Sequence, residues 1–381
     1  MTDFGLSEEH RELRETVRRF ALDKVAPVIG EYYERHEFPY ELIQQMGSMG
    51  LFGLPFPDEF GGMDGDYTAL CLALEELARV DSSVAITLEA AISLGAMPIY
   101  RFGSAEQKER WLPALVRGEA LAAFGLTEAS SGSDAGGIRT TATLSDDGKE
   151  WIINGGKTFI TNSGTDITSL VTVTALTGPE ETSSIIVPSG TPGFSVAPGY
   201  SKVGWCASDT HELSFDNCRV PVENLLGERG RGFAQFLSIL DEGRIAIAAL
   251  ATGLAQGCVD ESVRYAQQRE AFGAPIGSYQ AIQFMIADME SRAHTARLAW
   301  RDAAARLAAG EDFKRYAAIA KLHASTVAVD NARAATQIHG GYGFMNEYPV
   351  ARMWRDSKIL EIGEGTSEIQ RIIVARDLGL K

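Results

Sequence analysis

The sequence predicts an α+β protein whose domains follow one another in the order helical, β, helical. The chain has 381 residues, which exceeds one typical domain. Near residue 120 the residue pattern changes from Ala- and Leu-rich helical patterns to short runs of Thr, Val and Gly. Long Ala-rich helical patterns return near residue 232. We therefore place an N-terminal α-helical domain at residues 1–120, a middle β domain at 121–231 and a C-terminal helical domain at 232–381.

The first domain is predicted to be helical because its apolar residues recur at helical spacing. Ser7 is a suitable N-cap with Glu8 and Glu9 in the first turn, and the apolar pattern that follows continues until Pro27 interrupts it. Further helices in this domain are predicted over residues 67–80, 82–100 and 106–117.

The middle domain is predicted from short alternating runs that are bounded by turn residues. Such runs cover residues 151–156, 169–174 and 183–187. The dipeptide Asn154-Gly155 lies between strand-like runs, and this pair of residues favours tight hairpin turns. The sequence therefore predicts a turn at this point.

Composition and charge narrow the range of partners. The chain is 45% hydrophobic and 23% charged, which is ordinary for a folded globular protein. Its 35 Lys and Arg residues stand against 51 Asp and Glu residues, so a formal net charge of -16 repels nucleic acids and anionic membrane surfaces. Small anionic cofactors remain compatible, because local Arg residues and helix N-termini can hold them. We expect neither a nucleic-acid partner nor a membrane partner.

The cysteines and the N-terminus indicate the compartment. The four cysteines form no C-x-x-C pair, and no His/Cys cluster has the spacing of metal ligands, so we expect neither a disulfide framework nor a metal site. The N-terminal residues are charged and lack the apolar stretch of a signal peptide, and no uninterrupted apolar run reaches about 18 residues. We expect a cytoplasmic protein.

Three segments are candidates for a catalytic or ligand-binding site. Residues 124–134 (FGLTEASSGSD) are rich in small residues that let backbone donors approach a planar polar ligand, although a solvated loop has the same composition. Residues 337–344 (QIHGGYGF) form a Gly-rich bend that suits a pyrophosphate or only a helix C-cap. Glu364 immediately precedes a predicted helix start, where an acidic residue is either a catalyst or a favourable first-turn charge. The composition of the helical half alone also fits a bundle without chemistry.

At these residues the sequence resembles the acyl-CoA dehydrogenase family over nearly the whole chain. Residues 124–134 are similar to the first signature of the family, T-E-P-G-A-G-S-D, with Ala129 for Pro and Ser131 for Ala, and residues 337–376 are similar to the second. The resemblance implies the fold of that family, with an N-terminal helical domain, a middle antiparallel β-barrel or sandwich domain and a C-terminal four-helix bundle.

The resemblance also implies a reaction, the FAD-dependent α,β-dehydrogenation of an acyl-CoA thioester to the trans-2-enoyl-CoA. By position, Glu364 matches the base that removes the α-proton, while the β-hydride passes to FAD. A site that excludes water is expected to raise the pKa of this carboxyl and to strengthen it as a base. Some relatives carry the base at the position that is Gly243 here, which favours Glu364, and the neighbouring Glu242 is expected to face another side of its helix.

The resemblance assigns FAD contacts along most of the chain. The matching residues are Phe124, Leu126, Thr127, Ser133, Phe159, Thr161, Arg269, Gln280, Gln337, Gly340, Gly341, Thr366 and Glu368. Phe159 replaces a Trp of the family, which retains an aromatic face and loses an indole N–H. The contacts from residue 269 to residue 341 reach across a subunit boundary in relatives. The resemblance therefore implies a homotetramer, built as a dimer of dimers, whose isolated monomer binds FAD poorly.

Substrate contacts are assigned in the same way. The matching residues are Ser133, Asp241, Arg244 and Gly365, although Asp241 and Arg244 also fit a surface ion pair with i, i+3 spacing. Gly363 stands where relatives have a bulky residue, so the acyl site is expected to differ in shape, and we expect a short, medium or branched acyl chain. Ala85 aligns with the Arg of the glutaryl-CoA branch, which disfavours glutaryl-CoA.

The expected partners are an acyl-CoA substrate and an electron-transfer flavoprotein, in fatty-acid β-oxidation. Four alternatives stay open at this point. The same chemistry could act on an acyl-carrier-protein thioester, could run in reverse as an enoyl-thioester reductase, or could use oxygen as in acyl-CoA oxidases. The fourth alternative is a scaffold protein without catalysis.

Overall fold

The computed structural model describes residues 5–380, in which helices, a β-sheet and further helices follow one another in the predicted order. The fold class is confirmed. The outermost limits of the predicted domains, residues 1 and 381, lie outside the described residues.

The N-terminal helices begin where the capping residues predict. Ser7 accepts a hydrogen bond from the N–H of His10 at 3.2 Å, and it caps the first helix. The helices of this part are α1 (Glu8–Phe20), α2 (Ile29–Arg35), α3 (Tyr40–Ser48), α4 (Tyr67–Ala78), α5 (Ser82–Glu89), α6 (Met97–Phe102) and α7 (Ala105–Val116). A π-helical segment, Ala90–Ala96, joins α5 directly to α6. The predicted helices at 67–80, 82–100 and 106–117 therefore correspond to α4, to α5 with its continuation, and to α7.

The continuous helix Ser82–Phe102 is long and apolar enough to span a membrane, with a mean hydropathy of 1.4. In the structure 94% of that window is buried inside the protein, so the helix lies in the core of the helical part. The sequence predicts a helix here but no uninterrupted apolar run of membrane-spanning length, because Glu89 interrupts the run.

The middle part is one sheet. Its strands are β1 (Leu121–Gly125), β2 (Thr141–Leu144), β3 (Glu150–Thr161), β4 (Thr168–Gly178), β5 (Glu181–Pro188), β6 (Phe194–Val196), β7 (Thr210–Pro221) and β8 (Leu225–Leu226). The strands follow the order β6-β7-β3-β2-β4-β5-β8, and β1 pairs with β4 off this path. Most pairs are antiparallel, whereas β4 runs parallel to both β1 and β2.

The turn predicted at Asn154-Gly155 is wrong. β3 continues through both residues, and the register of its pairing with β7 shifts between Ile153 and Gly155. Gly155 has φ 142°, and a Cβ there would lie 2.5 Å from Thr140 Oγ1, so only glycine fits this position. The dipeptide therefore forms an irregularity inside a long strand, where a glycine is needed for the same conformational reason as in a turn.

The C-terminal part consists of long helices. They are α8 (Gly232–Gln268), α9 (Gln280–Ala308), α10 (Lys314–His339), α11 (Pro349–Ser357) and α12 (Ser367–Asp377), and two short strands, β9 (Glu270–Ala271) and β10 (Ala274–Pro275), lie between α8 and α9. Helix α8 packs against α9 and α10 and also against α4 of the first part. One hydrophobic core therefore extends through both helical parts, while the sheet has a core of its own.

A buried carboxylate of the C-terminal part accepts hydrogen bonds from the N-terminal part and from the β part. Asp356 at the end of α11 accepts hydrogen bonds from the hydroxyl of Tyr33 at 2.5 Å and from the hydroxyl of Ser82 at 2.7 Å. It also accepts one from the backbone N–H of Trp205, which belongs to the β part, at 2.7 Å. Because Asp356 is 1% exposed, water cannot replace it as the partner of these donors.

Replacing Asp356 by Ala is expected to lower the free energy of unfolding by about 2–4 kcal/mol, because three donors lose their acceptor inside the protein. Urea unfolding followed by circular dichroism measures this change. Asp302→Ala is the matched control, since Asp302 is half exposed and, within residues 5–380, forms an ion pair only with Arg306 one turn away. The control is expected to change stability by no more than about 0.5 kcal/mol, and an equal effect of the two substitutions would contradict the role given to Asp356.

Candidate active site

The backbone around Glu364 aims its side chain into the protein. Glu364 has φ 52° and Gly365 has φ 93°, so two consecutive residues adopt left-handed conformations. The Thr366 hydroxyl then caps α12 by accepting a hydrogen bond from the N–H of Ile369 at 3.3 Å. A left-handed glutamate is uncommon and has to be held by its surroundings.

Two buried side chains hold this segment. Lys321 Nζ on α10 and Gln370 Nε2 on α12 both donate to the carbonyl oxygen of Gly365, each at 2.8 Å. Both residues are fully buried. Sequence reasoning missed them, although one signal was present: Lys321 lies one helical turn from Ala317 and from Ala324, on the apolar face of α10. A lysine on such a face needs a buried acceptor.

The carboxyl of Glu364 is removed from water. Part of the residue is exposed, but its Oε2 is inaccessible to water and has no hydrogen-bond partner among the described residues. Burial raises the pKa of Glu364 above its ordinary value, while the neighbouring Glu89, Lys321 and Arg244 oppose that rise. The expectation of a raised pKa at this carboxyl agrees with the geometry.

Gly243 on α8 makes room for that carboxyl. A Cβ at Gly243 would lie 2.7 Å from Glu364 Oε2, closer than a side-chain carbon can approach. Glu242 points elsewhere, as expected, and its two oxygens accept from Arg101 at 2.9 and 3.0 Å. Of these adjacent positions on α8, the one that faces Glu364 carries no side chain.

Asp241 and Arg244 form the ion pair that their spacing allows. The two residues are 8% and 4% exposed, so the pair is buried. The alternative of an ion pair at the surface is therefore wrong. Asp241 also pairs with Lys314 Nζ at 2.9 Å. Arg244 Nε is buried and has no partner among the described residues, so this guanidinium retains a free donor near Glu364.

Six of the thirteen residues predicted to bind FAD lie in the sheet or in the loop that follows β1. Phe124 lies in β1 and stacks on Phe236 of α8 with ring centroids 4.7 Å apart, and Leu126 belongs to the same small cluster. The N–H of Thr158 donates to the carbonyl of Thr127 at 2.8 Å, which sets Phe159 of β3 beside the end of β1.

The remaining flavin-side residues are more exposed. Phe159 has φ 61° and is 66% exposed, a combination that presents an aromatic face outward. Thr161 follows on the same strand and is half-buried, while Ser133 lies exposed in the loop after β1. This loop is held by the buried Glu128, which sequence reasoning missed. Glu128 accepts from the N–H of Arg139 at 2.7 Å and from Lys157 Nζ at 2.7 Å.

A second set of predicted FAD residues lies at the ends of the long C-terminal helices. Arg269 follows α8, Gln280 begins α9, and Gln337 lies in the last turn of α10 before Gly340 and Gly341. Arg269 stands 5.7 Å from the ring of Tyr342, and all five predicted residues are exposed. Among residues 5–380, no hydrogen bond or ring contact joins this set to the flavin-side residues of the sheet. A single chain therefore presents two separate groups.

Comparison with known proteins identifies the family. Models of the acyl-CoA dehydrogenase N-terminal, middle and C-terminal domains match residues 7–119, 123–218 and 230–379. The chain is 46% identical over 381 residues to the probable acyl-CoA dehydrogenase YngJ of Bacillus subtilis, covering 99% of each protein. The chain belongs to the acyl-CoA dehydrogenase family. It is thus a flavin-dependent oxidoreductase that acts on acyl-CoA.

Two solved structures share the fold. The butyryl-CoA dehydrogenase of Megasphaera elsdenii is 41% identical, with a TM-score of 0.95 over 99% of this chain and 100% of that chain. An acyl-CoA dehydrogenase of Bacillus anthracis complexed with FAD is 36% identical, with a TM-score of 0.94 over 99% of this chain and 68% of that chain. FAD is the cofactor of this acyl-CoA dehydrogenase.

The second set of residues suits the phosphates of FAD. Gly340 has φ 60°, and no atom lies within 4 Å of a Cβ added at Gly340 or Gly341, so the backbone there is open to a ligand. Arg269 offers a forked, charged donor set, and no carboxylate forms an ion pair with it in the described part of the chain. An exposed cation beside open backbone N–H groups fits a pyrophosphate.

Gly243→Ala tests the space reserved for Glu364. The added Cβ is expected to displace the carboxyl and to slow anaerobic bleaching of the flavin by acyl-CoA by about tenfold or more, with the FAD content unchanged. Gly30→Ala is the matched control, because Gly30 also lies in a helix and a Cβ there meets only Arg352 Nη1, at 3.8 Å. Stopped-flow absorbance measures both rates, and a Gly243→Ala variant as fast as the unchanged enzyme would contradict this assignment.

Proposed function

We propose that this acyl-CoA dehydrogenase converts a short, medium or branched acyl-CoA to its trans-2-enoyl-CoA, with Glu364 as the base that removes the α-proton. Bound FAD supplies the acceptor for the β-hydride. The observation that carries the proposal is the water-inaccessible Oε2 of Glu364, held on a left-handed backbone in the space that Gly243 leaves free.

The environment of Glu364 supports its role as a base. The α-C–H of a thioester is far less acidic than a carboxylic acid, so the base has to be strong and correctly placed. Burial raises the pKa of Glu364, which increases its proton affinity. Lys321 and Gln370 fix the adjacent carbonyl, so the carboxyl approaches the substrate from a defined direction.

A donor for the thioester oxygen lies on the same residue. The backbone N–H of Glu364 donates no hydrogen bond within the described residues. The resemblance implies that this N–H stabilises the charge that develops on the thioester oxygen as the α-proton leaves, together with a ribityl hydroxyl of the flavin. A free, rigidly held N–H suits that role, since preoriented donors stabilise such charge without reorganisation.

Four residues near Glu364 or the flavin side are proposed to contact the substrate. Arg244 is buried, lies close enough to Glu364 to affect its pKa, and retains a free Nε, so it suits a contact to the carrier or the thioester. Asp241 holds Arg244 in place. Gly365 lies next to the base, and Ser133 is accessible in the loop after β1.

Two positions bear on the acyl chain. Gly363 is contacted only loosely, so the site has room where a bulky side chain would stand. Ala85 is fully buried in α5 and offers no charge, which disfavours a substrate with a distal carboxylate such as glutaryl-CoA.

We also propose a homotetramer in which a second subunit completes each FAD site. The separation of the two FAD residue sets within one chain supports this arrangement. Large apolar side chains near Arg269 are exposed in the single chain, including Phe272 at 98% and Phe344 at 79%, which suits a surface that a second copy covers. Electron-transfer flavoprotein as acceptor, fatty-acid β-oxidation and a cytoplasmic location belong to the same proposal.

Glu364→Gln tests the base directly. FAD is expected to stay bound, while anaerobic bleaching by a panel of acyl-CoA thioesters slows by about 100-fold or more, since the amide cannot accept the α-proton. Glu242→Gln is the control, because Glu242 pairs with Arg101 and faces away from the site. Full activity of the Glu364→Gln variant would eliminate the assignment, and rapid peroxide formation without an added acceptor would favour an oxidase.

Arg269→Ala tests the pyrophosphate contact. Loss of this guanidinium is expected to weaken FAD binding by about tenfold or more, which equilibrium dialysis of the flavin measures. Arg264→Ala is the matched control, since Arg264 lies near the end of α8, shortly before Arg269, and pairs with Glu261 at 2.8 Å. Equal FAD affinities of the two variants would count against the placement of the phosphates at Arg269.

A further inference from the structure

A second carboxyl lies beside the base. Glu89 at the end of α5 is fully buried, and both of its carboxyl oxygens lack a hydrogen-bond donor among the described residues. The reaction proposed above does not use it. An unpartnered carboxyl inside a protein is costly unless it is neutral or shares a proton with a neighbour.

The neighbour is Glu364. The position that a Cβ would take at Gly243 lies 2.7 Å from Glu364 Oε2 and 3.8 Å from Glu89 Oε1, so both carboxyls border the same space. Each carboxyl also affects the pKa of the other, as expected of close neighbours. Two ionised carboxylates that border one buried space without donors would repel each other, so we expect one of them to carry a proton.

The surrounding charges decide which carboxyl keeps the proton. Lys321 from α10 and Arg244 from α8 both favour the ionised form of Glu364. No cation forms an ion pair or a hydrogen bond with Glu89 among the described residues. Burial and then the charge of Glu364 raise its pKa well above the ordinary value. The titratable and hydroxyl groups that face the pair from the packed elements are Tyr67 and Cys71 on α4, Ser93 on the π-helical segment, Arg244 on α8 and Lys321 on α10.

The other neighbours of Glu89 are neutral. Tyr67 lies on α4 and Ser93 follows Glu89 by one helical turn, and both hydroxyl oxygens are buried without a geometrically good partner in the described chain. Burial raises the pKa of Tyr67 and of Cys71 well above their ordinary values, so both stay protonated at neutral pH. None of these groups offers Glu89 a positive charge.

We propose that Glu89 is a neutral carboxylic acid that donates a hydrogen bond to the carboxylate of Glu364 and thereby positions this base and sets the pH range in which it works. This inference rests on the proposed function of Glu364. Glu89 is a positioning residue, since it acts through Glu364. When Glu364 takes the α-proton, Glu89 keeps its own proton, so no proton leaves the pair during the oxidation half-reaction.

The pH dependence of flavin bleaching tests the proposal. Glu364 acts as a carboxylate, so the bleaching rate rises with pH through its pKa. Glu89→Leu removes the hydrogen-bond donor that stabilises the carboxylate of Glu364. The acid side of the profile of bleaching rate against pH is therefore expected to move to higher pH by about one unit. Glu89→Gln retains an N–H donor and is expected to return the acid side to near its original position. Glu242→Gln is the control, with its acid side expected at the original pH.

The alternative protonation states of Glu89 predict different shifts of the acid side of the pH profile. If Glu89 is ionised in the free enzyme, its removal takes away a negative charge, so both Glu89 variants shift the acid side to lower pH and overturn the proposal. An unshifted acid side in Glu89→Leu overturns it as well, because the two carboxyls then do not interact. If no acyl-CoA bleaches the unchanged enzyme at any pH, the proposed function itself fails.

Infrared spectroscopy of the substrate-free holoenzyme gives a readout that does not depend on turnover. The difference spectrum between the unchanged enzyme and Glu89→Gln is expected to show the loss of one C=O band of a neutral carboxylic acid, with a shift of that band in D₂O at neutral pH. A loss of carboxylate bands instead would overturn the proposal even if acyl-CoA fails as the substrate. The Glu242→Gln spectrum serves as the control.

Discussion

Removal of the Glu364 carboxyl from water is the constraint on which the rest of the site depends. A carboxylate in water is too weak a base for an α-C–H, and burial strengthens the base proposed here by destabilising its charged form. The same burial costs free energy, so the protein has to hold the side chain where it would not go by itself. The left-handed backbone at Glu364, the carbonyl held by Lys321 and the missing side chain at Gly243 each contribute to that placement.

This placement is possible because the helices around it pack closely. The buried residues of α8 and α10 are rich in alanine, and α8 also carries buried glycines, so neighbouring helices approach closely and leave little freedom for the residues between them. A Cβ at Gly253 or at Gly257 would lie within 2.2 Å of backbone oxygen atoms of α4 and of the residue that follows it. Strain at an active-site residue persists only where the surroundings are this well determined.

Much of the fold could be predicted from the sequence, and the reasons for the exceptions are physical. Helix starts were predictable because caps such as Ser7 act locally. Asn154-Gly155 was misread because glycine serves both a turn and a strand irregularity, and only the pairing of β3 with β7 distinguishes them. Glu364 was predictable from its motif and from the glycine at position 243. Glu89, Lys321 and Glu128 were not, because a buried polar side chain in a helix or loop becomes meaningful only when its partner, distant in sequence, is known.

The charges around the base also explain how an acidic protein builds a site for an anionic substrate. Arg244 and Lys321 supply two buried positive charges, and Asp241 and Glu364 supply two negative ones. The buried charges are balanced only if Glu89 is neutral, because an ionised Glu89 would add a third buried negative charge to two buried positive ones, while Lys314, which also pairs with Asp241, is exposed. A balanced site leaves the free Nε of Arg244 available to a ligand, and the net charge of -16 then acts only at long range, where salt screens it.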